Sequence, residues 1–90
     1  MSSIYSDLEM EAATAVQQLA RLIYETRENR RKVLAAAGAS NEDELFARIS
    51  TGALAEHPAY EHYLAARILR DTHEAARRTM ADQLKELNRR

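Results

Sequence analysis

The stretch Gly38-Ala-Ser-Asn-Glu-Asp-Glu-Leu-Phe-Ala-Arg-Ile-Ser-Thr-Gly-Ala-Leu-Ala-Glu-His-Pro58 decides the fold, because it holds both glycines and the only proline of a 90-residue chain. On either side, residues 1–37 and 59–90 contain nothing that forces the backbone out of the α region, and both are rich in the strong helix formers Ala, Leu, Arg and Glu. The pattern predicts one helical domain over residues 1–90, with helices over about 4–37, 41–50 and 58–88. Within the quoted stretch, Ser40-Asn-Glu-Asp-Glu carries a capping signal ahead of Leu45, Phe46 and Ile49. Gly38 suits the left-handed position just after a helix, and Pro58 suits the first helical position.

The flanks carry the helical period. Toward the N-terminus the chain is expected to enter its first helix near Ser3 or Ser6, where Ser6-Asp-Leu-Glu9 forms a capping box. Leu8, Ala12, Ala15, Leu19 and Leu22 then recur at three- and four-residue spacing, widened by Val16 and Ile23. In the last helix, His62, Ala66, Leu69, His73, Ala76, Met80, Gln83 and Leu87 alternate by four and three, with Tyr60, Leu64, Ile68 and Leu84 read as its apolar flank. Lys85, Arg89 and Arg90 suit the dipole at its C-terminal end.

Two helices of about 45 Å joined by a short connector must fold back on each other or leave both stripes in water. The expected class is all-α: a long antiparallel helical hairpin with a short connecting helix, completed as a four-helix bundle on dimerisation. A homodimer is expected over a three-helix monomer, because the short second helix cannot cover two such stripes along their length and a ninety-residue monomer buries only about 60 to 65% of its unfolded surface.

Composition excludes more than it assigns. Thirteen basic and fourteen acidic residues give a net charge of −1, so no overall field draws nucleic acid or an anionic membrane. The absence of cysteine removes disulfides, thiolate metal sites and a cysteine nucleophile. No segment has the roughly 20 apolar residues of a membrane span, and a cytoplasmic, soluble and unprocessed protein is expected. There is no Gly-rich phosphate loop, no serine triad and no paired acid and base, so neither an enzyme nor a cofactor is expected.

One region breaks the apolar pattern. From Glu25 to Lys32 the chain reads Glu-Thr-Arg-Glu-Asn-Arg-Arg-Lys, and a hairpin turning near residue 48 sets Glu25 opposite Arg70 and Glu28 opposite Arg67. This charged collar of Glu25, Arg27, Glu28, Arg30, Arg31, Arg67, Arg70 and Arg77 is the candidate surface for a protein partner of an adaptor, regulator or small subunit, against the plainer reading of a solvated, ion-paired face. Arginines outnumber lysines eleven to two, and arginine favours bidentate contact with carboxylates. Thr26, Asn29, His62 and His73 are polar at seam positions, where they could select the register of a dimer.

Two alternatives come from other classes. Glu25, Glu28, His57 and Glu61 could assemble a carboxylate and histidine metal site across a dimer, although the Glu-x-x-His of di-iron bundles is missing. His62 and His73 share a face but stand about 16 Å apart, so one helix cannot bring both to one ion. The helix-turn-helix outline from Asn41 to Arg70 raises a weak nucleic-acid-binding regulator, against which its second helix opens Pro-Ala-Tyr-Glu-His-Tyr, with no side chain placed to read base edges. Tyr5, Tyr24, Tyr60 and Tyr63 read as packing residues with rim hydroxyls.

Overall fold

The computed structural model describes residues 4–89. Three helices follow in order, α1 (Ile4–Ala36), α2 (Glu42–Ser50) and α3 (Glu56–Asn88), and no strand occurs among the described residues. The long helices α1 and α3 pack against each other as a hairpin, and α2 packs on α3 at the turn. The molecule is a rod of 65 × 18 × 14 Å, all-α as its sequence pattern requires.

Local chemistry ends each element. Gly38 takes φ of +70°, and its N–H donates to the Ala35 carbonyl while the Ala39 N–H reaches the Leu34 carbonyl at 2.9 Å. This is a Schellman closure, and Ala39 packs against the cluster containing Leu34, as that motif favours. At the start of α2, the Asn41 carboxamide oxygen accepts from the Glu44 N–H at 2.8 Å, and the Glu44 carboxylate accepts from the Ser40 N–H at 3.0 Å. Capping falls on Asn41, one residue beyond Ser40, with Glu42 opening the helix. Gly52, at φ +79°, ends α2 and donates to Ile49.

Two boundaries differ from the sequence expectation. Ser6 lies inside α1 instead of capping it, since the helix already runs from Ile4, and Ser3 and Arg90 lie outside the described residues. The side chains of Tyr5 and Ser6 lie outside them too. α3 is reached through an extended His57 at φ −106°, ψ 129°, the conformation a following proline imposes, so its regular turns begin at Pro58. The His57-Pro58 peptide is cis.

Burial is concentrated at the turn, or head. Leu34, Leu45, Ala59 and Ala66 form one buried cluster, with Val33, Ala37, Ala39, Ile49, Leu54 and Tyr63 packed around it. Leu45 and Ala66 are fully enclosed. Beyond the head the arms are only two helices thick. Before Thr26 the seam residues Ala12, Ala15, Val16, Leu19 and Ile23 are half-buried, and in α3 beyond Arg70 only Ala76 is buried among the described residues.

Candidate interaction surface

The charged run of α1 separates into a structural part and an exposed part. Arg30 reaches across to α2, where Nε and Nη2 donate to the two carboxylate oxygens of Glu42 at 2.5 and 2.6 Å. Glu42 is 3% exposed, so a charge at the first turn of α2 is taken out of water and matched by a bidentate guanidinium. Its pKa is held below the ordinary carboxylate value chiefly by the Arg30 hydrogen bonds, with its own helix-terminal N–H and the Arg70 charge adding to them against the effect of burial. Arg30 is therefore part of the clasp that fastens α2 to α1. It is not a free element of a binding surface.

The rest of the collar pairs along its own helices. Glu25 lies 3.5 Å from Arg21, and Glu28 accepts from Arg31 at 2.6 Å with Arg27 3.7 Å away. The Arg31 hydrogen bond, with the Arg31, Arg27 and Lys32 charges, holds the Glu28 carboxyl below its usual range against desolvation. Arg70 contacts Asp71 at 3.4 Å, Arg67 sits over the Tyr63 ring at 5.7 Å, and Arg77 is exposed. The expected facing of Glu25 with Arg70 and Glu28 with Arg67 gives way to these nearer partners.

The polar seam positions have separate fates. Thr26 is 5% exposed and satisfies its hydroxyl by donating to the Leu22 carbonyl at 2.7 Å and to Ile23 at 3.2 Å. His62 and His73 are half-buried, and Asn29 is exposed, so Asn29 faces away from the seam. Of the alternative metal set, His57 Nδ1 and Glu61 Oε1 meet at 2.6 Å, both well exposed. Among the described residues no three His, Asp or Glu side chains gather as a metal-holding group. A cleft of about 250 Å³ between the end of α1 and the start of α3 is lined by five alanine and proline residues with Leu54, His57 and His62. It falls below the usual size of a ligand pocket, about 300 to 1,000 Å³.

A surface absent from the sequence expectation stands on the outside of the head. Ala66 is the most enclosed residue of α3, and Leu64 and Ile68 lie two residues to either side of it, about 200° round the helix in each direction. Both point away from the core, at 40% and 66% exposure, and Tyr60 continues the row at 45%. Spacing alone places the three on the flank of the seam, yet a row at four-residue spacing drifts across the helix face and here runs opposite the buried side. The half-buried Tyr63 joins this row to α2. Its ring centroid is 6.2 Å from that of Tyr60 and 5.3 Å from that of Phe46, itself half exposed. The only advance signal was the spacing of Tyr60, Leu64 and Ile68 relative to Ala66.

The fold and this surface define a small all-helical protein, a hairpin capped at one end, with apolar and charged side chains displayed on its outside. Residues 5–89 match the Uncharacterized protein MJ0235 family, and the chain belongs to that family. No curated protein and no solved structure gives a significant match. No helix among the described residues is long and apolar enough to cross a membrane.

Proposed function

We propose that this protein is a helical interaction module, a small adaptor or regulatory subunit that forms a homodimer and engages a protein partner by surface contact. The observation that carries this reading is the bare apolar row on α3. Tyr60, Leu64 and Ile68 remain exposed after the chain has completed a core of its own, and contiguous apolar patches on small proteins mark interaction sites. Exposed Arg67, over the Tyr63 ring, gives this row a charged edge, while Arg27 and Arg31 form a separate charged group on α1 with Tyr24 and Glu28. In such an interface the apolar centre provides affinity and the charges set partner and orientation.

The reading is tested on the intact chain by light scattering across a dilution series, followed by the exposed variant Ile68→Asp. A dimer that dissociates on dilution and is lost in Ile68→Asp, with helicity unchanged by circular dichroism, supports it. A monomer at every concentration removes the homodimer. For the partner, charge reversal at Arg31, Arg67 and Arg77 should abolish capture with helicity intact, and undiminished capture would place the partner surface elsewhere.

A further inference from the structure

From the symmetry of the residues around Leu64 we infer that the outer face of α3 is a self-pairing surface whose occupant is the same face of a second copy, the two helices crossing antiparallel about a two-fold axis at Leu64. The inference rests on the homodimer proposed above and specifies its face and register.

An isologous contact requires a patch complementary to itself when turned end for end. The exposed residues within four positions of Leu64 meet this requirement. Tyr60 lies four residues before it and Ile68 four after, so an antiparallel pairing sets the aromatic end of each row against the aliphatic end of the other. Glu61 lies three residues before and Arg67 three after, bringing each carboxylate level with the guanidinium of the other copy. All of these side chains except Leu64 itself carry a complement of different chemistry at the equal and opposite offset. Like charges are never brought level.

The geometry of the row fits the same arrangement. Positions 60, 64 and 68 form a ridge at four-residue spacing, and ridges of this kind interdigitate when helices cross at about −50°, the commonest packing class. Phe46 and Tyr63 widen the patch on the α2 side. The existing contacts do not compete strongly, because among the described residues Glu61 pairs with exposed His57, and exposed Arg67 stacks on Tyr63. The arm seam is the competing face. Its residues are already half covered by hairpin closure, with Leu8, Leu22 and Leu84 its most exposed members.

The chain has no cysteine of its own, so single cysteines report the face directly. Leu64→Cys should oxidise rapidly to a covalent dimer, because a residue on a two-fold axis meets its own copy, and Leu22→Cys should not. Glu61→Arg and Arg67→Glu should each weaken the dimer by about fivefold to tenfold, two equivalent pairs being lost at once. The double variant Glu61→Arg/Arg67→Glu should return to within about twofold of the parent. If the parent is a dimer but Leu22→Asp dissociates it while Ile68→Asp does not, the arm seam is the interface; the homodimer then stands and this face falls. A dimer that requires Ile68 but shows no rescue in the double variant overturns the antiparallel register. A parent that is monomeric throughout removes both proposals.

Discussion

The head and the arms of this hairpin are made from the same two helices, yet they are held by different means. At the head a third element, α2, closes over the pair, so Leu34, Leu45 and Ala66 are enclosed and even a charged residue, Glu42, is taken out of water. Along the arms two helices meet alone, and a two-helix contact can bury only one side of each stripe. The same residue types yield full burial in one half and partial burial in the other. Nine residues of connecting helix make the difference, and the stability of the chain should be distributed accordingly.

The sharpest way to break that comparison is to remove one leucine from each region. Leu45→Ala deletes a fully buried side chain and should cost about 3 to 4 kcal/mol, counting both lost transfer energy and the cavity left behind. Leu22→Ala removes a side chain that is 38% exposed and should cost about 1 kcal/mol, since much of it is solvated before the change. Urea melts of the two variants at equal concentration measure the gap. Equal losses would mean that the arms are as tightly packed as the head.

The clasp between α1 and α2 comes next. Arg30→Ala strands a buried carboxylate and should cost about 2 to 3 kcal/mol, less than a fully enclosed pair because Arg30 retains partial exposure. The same pair gives the head its acid sensitivity. The Glu42 pKa is lowered in the folded chain, so the unfolded chain binds the proton more readily. The contribution is complete above the unfolded value of about 4.3 and is lost as pH falls through the lower folded value. Chemical melts between neutral pH and pH 3 should show this loss for the parent and a shallower slope for Glu42→Gln. Parallel slopes would remove Glu42 as its source.

The contrast between the regions also explains what could be read in advance. Gly38, Gly52 and Pro58 were legible as breakers because glycine and proline act through the backbone, whose response is local. The seam from His62 to Leu87 was legible because periodicity records which side of a helix is covered. Glu42 was not. It stood in an acidic run that suits a helix start, and its burial depends on Arg30, twelve residues away across a turn. Nor was the outward direction of Tyr60, Leu64 and Ile68, because apolar spacing alone does not distinguish the flank of one stripe from a second face. The charged run from Glu25 to Lys32 is legible in the sequence, but its division is not, since Arg30 is tied to buried Glu42 and the neighbouring Arg31 is exposed.

Gly38 carries a smaller, purely conformational effect. At φ +70° an alanine is strained even though its added methyl would meet only the end of the Arg48 side chain, 3.7 Å away. Gly38→Ala should cost about 1 to 2 kcal/mol. A stability unchanged in thermal melts would mean that the connector can relax into another closure.

The smallest effect gives the finest test, because it compares adjacent arginines of one helix. Arg31 makes a hydrogen bond to Glu28 as short as those Arg30 makes to Glu42, 2.6 Å, so distance alone predicts similar losses. Solvent decides otherwise. The Arg31 side chain is 74% exposed, and water and salt replace most of what the pair provides. Arg31→Ala should shift stability by no more than about 0.5 kcal/mol, well below the change in Arg30→Ala. Matched melts of the two variants at low and high salt would read the difference, and an Arg31 effect equal to that of Arg30 would show that the clasp owes its strength to contact geometry and not to the burial of Glu42.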